Sequence, residues 1–225
     1  METELKLSFP DTESMYSVLS APWFLEVLEI KGEKTEDYEN RYLDTKDRIL
    51  ESSRTSMRIR HIVGEDYIHT VKTSPVSLAN VLPESVRSGM TSRCEWNVST
   101  DRKDFDVDYF LHEAKALEDP YEVLAAALVP VLGHELISVC KTAFRRHTVT
   151  AVFEGSTMEI CLDNGECIAS GKSLPILEME IELISGDIEA VQKLGKLIME
   201  HTGCSPLSIS KYARCLMLMK EAQND

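Results

Sequence analysis

The chain has 225 residues, with Lys+Arg 24 against Asp+Glu 38 and a formal net charge of −14. That balance excludes nucleic acid and anionic membranes as expected partners. Hydrophobic residues at 43% and charged residues at 28% exclude collagenous, disordered and disulfide-scaffolded chains and fit a single domain over residues 1–225.

The first predicted element is a strand over residues 2–9, where polar and apolar residues alternate with the period of two that gives a strand two unlike faces. Helical spacing follows over 11–19, and strand alternation returns at 26–31, 39–43, 56–63 and 66–73. The Ser- and Pro-bearing stretch 74–92 has no period and reads as a loop. A strand is expected at 92–99, helices at 104–117 and 120–132, and strands at 143–153 and 157–162. Asp163-Asn164-Gly165 reads as a hairpin turn into a further strand at 166–169, followed by one at 174–183. The last predicted helix, 187–202, carries Ile188, Val191, Leu194 and Ile198 on one face and stops at Gly203. The economical reading is one α+β domain around an antiparallel sheet.

No stretch reaches the roughly 20 apolar residues of a membrane span; the longest candidate, 125–132, is interrupted by Pro130. The N-terminal Met-Glu-Thr-Glu-Leu-Lys lacks a signal-peptide layout, so a cytoplasmic, reducing location is expected. Cys94, Cys140, Cys161, Cys167, Cys204 and Cys215 form no C-x-x-C pair and read as free, packed thiols. The six histidines lack ligand spacing. P-loop, G-x-G-x-x-G, H-E-x-x-H, G-x-S-x-G and EF-hand signatures are absent.

The informative feature is charge placed on strands. Glu2, Glu4 and Lys6 share one face of the first strand, opposite Thr3, Leu5 and Leu7. Glu178, Glu180 and Glu182 share a face, as do Arg58 and Arg60, and Arg93 and Glu95. Like charges at i and i+2 lie about 7 Å apart, so a run of them needs neutralising. Since the alternate faces are apolar and pack under helices, the sheet is expected to curl and close with its charges inside. E-x-E carboxylates are hard oxygen ligands suited to Mg²⁺ or Mn²⁺, and R-x-R guanidinium forks match phosphate oxygens. Lys72, Arg146 and Lys211 are further basic candidates, Glu159 and Asp163 further acidic ones. Acidic residues such as Glu13, Glu33, Glu36, Asp37, Asp101 and Asp104 are expected on outer loops and helices.

In that order the motifs resemble the CYTH superfamily of triphosphate tunnel metalloenzymes. Glu2-Thr3-Glu4-Leu5-Lys6 is similar to its E-x-E-x-K, Tyr42-Leu43-Asp44-Thr45 to its Tyr-x-(Asp/Glu)-Thr, Met57-Arg58-Ile59-Arg60 to its Leu-Arg-x-Arg, and Arg93-Cys94-Glu95-Trp96 to its Arg-x-Glu-Tyr. Lys72, Arg146, Glu159 to Asp163, Glu178 to Glu182 and Ser210-Lys211-Tyr212-Ala213-Arg214 follow in family order. The likeness is greatest to the CYTH domain of bacterial inorganic triphosphatases, many of which continue into a helical CHAD domain, so a longer parent protein is an expected possibility.

The resemblance implies a closed eight-stranded antiparallel barrel with helices outside, and hydrolysis of tripolyphosphate to diphosphate and phosphate with Mg²⁺ or Mn²⁺. It implies metal ligands among Glu2, Glu4, Glu159, Asp163, Glu178, Glu180 and Glu182. Lys6, Arg58, Arg60, Lys72, Arg93, Arg146 and Lys211 would bind the triphosphate, with Lys6, Glu95, Arg58 and Arg60 in catalysis. Two positions depart from the family pattern. Thr148 stands where a second basic residue often follows Arg146, and Arg214-Cys215 replaces a common Arg-Gly, where the glycine would serve a turn. Class IV adenylate cyclase, thiamine triphosphatase and a non-catalytic polyphosphate-binding module are the alternatives.

Overall fold

The structure, a computed structural model, describes residues 2–73, 89–117 and 119–224, so residues 74–88 of the expected loop lie outside the described residues. Eight strands form the barrel: β1 (Glu2–Ser8), β2 (Glu29–Thr45), β3 (Ser56–Ile62), β4 (Tyr67–Thr73), β5 (Met90–Thr100), β6 (Leu136–Phe153), β7 (Ser156–Ala169) and β8 (Lys172–Ser185). Their order is β5-β4-β3-β2-β6-β7-β8-β1, and β1 also pairs with β5, which closes the sheet. Every pairing is antiparallel. A two-residue β9 (Ser205–Pro206) adds to β1. No helix among the described residues is long and apolar enough to cross a membrane.

The apolar strand faces pack outward, as expected. Leu5 and Leu7 of β1, Met158 and Ile160 of β7 and Met179 and Ile181 of β8 are buried beneath α1 (Thr12–Ser17), α2 (Pro22–Leu25) and α6 (Ile188–Thr202). Each such side chain contributes about 1.5–3 kcal/mol when fully buried. α6 starts where the Asp187 side chain accepts from Glu189 N and stops at Gly203 in the left-handed conformation, as its sequence signals require. Its Gly195 lets it lie against β1, because a Cβ there would come within 2.0 Å of Leu5 Cδ2. A second outer core joins Met57, Ile59, Val71 and Trp96 to α3 (Ile49–Ser52), α4 (Val107–Glu113) and α5 (Tyr121–Leu128).

A third apolar cluster lies within the barrel. Tyr38, Tyr42, Cys140, Phe144, Cys167 and Ile176 point inward and are covered by Tyr212, Cys215 and Leu218 of α7 (Lys211–Asn224). This helix fills one end of the barrel, and the sequence reading did not anticipate it. Cys215, read as the site of a turn, is therefore a helical core residue, with its Sγ 3.5 Å from Lys141 O. All six cysteines are buried and unpaired.

Two further expectations change. Residues 26–31 and 39–43 are not separate strands: the segment between them, polar on both faces, belongs to β2 because it pairs residue by residue with β6. Glu33 and Asp37 are consequently exposed strand residues rather than loop residues, and Glu36 is half-buried on the same strand. Asp163-Asn164-Gly165 is not a hairpin turn but the middle of β7. Gly165 serves a close approach there, since a Cβ would meet Ala143 O at 2.1 Å. The tight hairpin loops are Glu154-Gly155 and Ser170-Gly171, all four residues at positive φ, between the pairs Phe153↔Ser156 and Ala169↔Lys172.

Candidate active site

Cross-strand register turns the inward charges into rows around the barrel, with directly opposite residues about 4.5–5.5 Å apart. The first row runs Glu4 (β1), Glu182 (β8), Glu159 (β7), Thr150 (β6). The second runs Lys6, Glu180, Cys161, Thr148 and Lys34 of β2, and the third Ser8, Glu178, Asp163, Arg146 and Glu36. Together with β3, β4, β5 and the start of α7 these rows enclose a cavity of about 330 Å³.

The first row is an accumulation of carboxylates. Among the described residues, neither Glu159 nor Glu182 makes an ion pair. Burial, followed by Glu4, Glu95 and Glu180 against the opposing pull of Lys72, pushes the Glu182 carboxyl up to about 7. Glu2 lies at the adjacent end of β1, with Lys72 Nζ 2.7 and 2.9 Å from its oxygens. Lys72 is shared with Glu95 at 2.9 Å, and burial with Glu4 and Glu95 nearby still raises Glu2 to about 8. Burial also acts on Glu95, but Lys72, the hydrogen bond with Glu2 and Arg58 hold it well below the usual range. Lys6 lies 2.6 Å from Glu4.

The third row and its neighbour Glu180 are internally neutralised. Arg146 donates to both Asp163 oxygens at 2.6 Å and also to Glu180. From α7, Lys211 Nζ reaches Asp163 at 2.6 Å, Glu180 at 3.0 Å and Glu178, while Arg214 pairs with Glu178. Burial disfavours the charge on Glu180, yet Lys211, Arg146 and Lys6 hold its carboxyl well below the usual range. Oxygens of Asp163, Glu178 and Glu180 lie within 4.8 Å of one another, a spacing that could hold a metal. In this structure the same oxygens face Arg146, Lys211 and Arg214. Sequence had grouped all seven carboxylates; the register divides them.

The opposite wall is basic and thinly paired. Arg58 donates to Thr70 Oγ1 at 3.1 Å, Thr70 to Asn97 Oδ1 at 2.7 Å, and Arg58 lies 3.7 Å from Glu95. Its buried Nε has no hydrogen-bond partner among the described residues. Arg60 donates Nε to Asn40 Oδ1 at 3.0 Å, and its guanidinium lies over the Tyr38 ring at 4.3 Å. Burial, then Arg58 and Arg146, lower Arg60 to about 10. Arg93 lines the cavity opposite Glu2 in register. Thus the cavity gathers Glu2, Glu4, Lys6, Arg58, Arg60, Lys72, Arg93, Glu95, Arg146, Glu159, Glu180, Glu182 and Lys211, while Glu178 and Asp163 lie buried beside it.

Tyr38 and Lys34 also line the cavity, and Asn40 is buried behind Arg60 and accepts from it; all three were missed in the sequence. Tyr38 and Asn40 sit four and two residues before Tyr42 on one strand face, a spacing that could have revealed them once β2 was known to continue. Asp44, from the Tyr-Leu-Asp-Thr motif, has a local structural role: it is fully buried and accepts from the backbone N–H groups of Thr45, Leu50 and Glu51 at 2.7, 2.9 and 3.0 Å. That fixes the turn from β2 into α3.

Comparison with known proteins agrees with this geometry. An inorganic triphosphatase from Haemophilus influenzae is 28% identical over 189 residues, covering 84% of this chain and 46% of that protein. The chain therefore spans about half the length of this curated relative. A Hippeastrum protein studied as an adenylyl cyclase and described as having a dominant triphosphatase activity superposes with TM-score 0.58 at 20% identity, over 97% of both chains. A Pyrococcus horikoshii protein superposes with TM-score 0.52 at 21% identity, over 96% of this chain and 98% of its own. These two likenesses show the fold. The CYTH domain model matches residues 1–216, which take in the whole barrel and the start of its internal helix, and the chain belongs to the CYTH domain family.

Proposed function

We propose that the barrel is a divalent-metal-dependent triphosphatase that hydrolyses inorganic tripolyphosphate to diphosphate and phosphate. The observation that carries this reading is the pairing of two incompletely neutralised surfaces in one cavity: the Glu4–Glu182–Glu159 row with Glu2, whose only cations within ion-pair distance among the described residues are Lys6 and Lys72, and the Arg58–Arg60 wall with Arg93. The carboxylate row fits a hard divalent cation, since its oxygens lack enough basic partners and burial disfavours the charges of Glu2 and Glu182. Mg²⁺ or Mn²⁺ held by Glu2, Glu4, Glu159 and Glu182 would neutralise phosphate oxygens and lower the pKa of an attacking water. In this reading Asp163, Glu178 and Glu180 hold Arg146 and Lys211 in place and are not the principal ligands.

The chain's own groups supply alignment and charge. Arg58, Arg60 and Arg93 present donors to the phosphates, with Lys6 and Lys72 bridging from the acidic side. Glu95 orients Lys72 and Arg58 through contacts of 2.9 and 3.7 Å. The thiol of Cys161 is no rival nucleophile, because burial pushes it up to about 12 and keeps it protonated.

The test is phosphate release from tripolyphosphate with Mg²⁺ or Mn²⁺. Release that requires either metal is expected; no release by folded protein under both would overturn the reading. Arg60→Ala is expected to lower kcat/KM by about 100- to 1,000-fold. Arg60→Lys should recover only part of that, since an ammonium lacks the bidentate fork. Circular dichroism would establish that both variants remain folded.

A further inference from the structure

We infer that Lys34 of β2 is a substrate-binding residue at the cavity rim, contacting a terminal phosphate of a triphosphate bound as proposed above. The inference rests on that reading of the cavity and adds a residue that none of the sequence motifs includes.

Three observations carry it. Lys34 shares a strand face with Glu36 and Tyr38 and lines the cavity. It ends the row that begins with Lys6 and runs through Glu180, Cys161 and Thr148, so it lies four strands from Lys6 around an eight-stranded barrel. The cavity is therefore lined by two ammonium groups from opposite strands, Lys6 buried within it and Lys34 at its exposed rim. Finally, β6 offers no cation beyond Arg146 on its inward face: the next two inward residues are Thr148 and Thr150, and Lys34 stands directly opposite Thr148.

Lys34 is also available. Its ion partner is Glu36 at 3.0 Å, and its side chain is 56% exposed. An ion pair at such exposure is weak, so a multiply charged phosphate can take the ammonium from it. Glu36 has a second donor, Tyr38 Oη at 2.7 Å, and does not depend on Lys34 alone.

The experiment is calorimetric binding of tripolyphosphate with Mg²⁺, alongside steady-state turnover, for the wild type, Lys34→Ala and the double variant Lys34→Ala/Thr148→Lys. Lys34→Ala is expected to weaken binding about tenfold and raise KM accordingly, with little change in melting temperature. The double variant should restore most of the affinity, because a lysine stem starting about 5 Å away on β6 can reach the same volume. Unchanged binding in Lys34→Ala overturns the inference, and so does weakened binding with no rescue, which assigns Lys34 to local structure. A wild type that binds no tripolyphosphate overturns the triphosphatase reading and this inference with it; failure of the inference alone appears only in the variants.

Discussion

Glu182→Gln is expected to reduce metal-supported turnover by roughly 100- to 1,000-fold while making the metal-free protein more heat-stable at about pH 8. The two effects have one cause. Glu182 sits between Glu4 and Glu159 in register and has no ion-pair partner among the described residues. Its carboxyl is raised from 4.5 to about 7, chiefly by burial. The fold thus prefers the protonated form. The associated stability is fully present below the ordinary carboxylate pKa and is lost as the pH rises through about 7. Glu2, raised to about 8, extends that loss to higher pH. The metal-free wild type should therefore melt lower at about pH 8 than at about pH 6, and Mg²⁺ or Mn²⁺ should recover more of the melting temperature at the higher pH. Glu182→Gln should flatten both responses. The shift is a few degrees, since ~1 kcal/mol moves a chain of this size by about 2–4 °C. A melting temperature that is flat across this pH range and unmoved by either metal would remove the row from consideration as a cation site.

Much of this site is legible in the sequence because charge at i and i+2 opposite an apolar face has few structural solutions. Glu2, Glu4 and Lys6, Arg58 and Arg60, and Glu178, Glu180 and Glu182 announce a closed barrel with a charged interior for that reason. Register is different. Whether Glu182 faces Glu4 or Lys6 depends on how β8 slides along β1, which neither strand's alternation specifies. The sequence therefore groups seven carboxylates as metal ligands where the structure sets a row with two unpaired members, Glu159 and Glu182, against a fully ion-paired cluster among the described residues. Local signals mislead where tertiary contacts override them: Asp163-Asn164-Gly165 has turn composition, but Gly165 is needed for the approach of β6 and Asp163 for Arg146 and Lys211. Lys34 is concealed because the first half of β2 is polar on both faces, and only pairing with β6 reveals which side turns inward. The net charge of −14 is uninformative about the interior, where acidic and basic walls face each other.

Asp163→Asn is expected to have the opposite effect on stability from Glu182→Gln, although both replace a cavity-side carboxylate with its neutral isostere. Asp163 is 0% exposed and bonds Arg146 through both oxygens and Lys211 through one. The group comprises Arg146, Lys211 and Arg214 against Asp163, Glu178 and Glu180, three charges of each sign. Removing one carboxylate leaves an uncompensated cation where water cannot solvate it, and breaking a buried pair from one side costs about 3–5 kcal/mol. Lys211 is the first residue of α7, so the loss also loosens the contact that seats this helix in the barrel. Denaturant unfolding of Asp163→Asn should show a correspondingly lower midpoint, with little recovery at higher salt because the group is buried. Glu182→Gln, measured at about pH 8 without metal, should show a higher midpoint than the wild type. If both variants move the midpoint in the same direction, the division of the carboxylates into a cation-binding row and a helix-seating cluster is wrong. If they move it in opposite directions, the two groups do different work within one cavity, and the register of β1, β7 and β8 is what separates them.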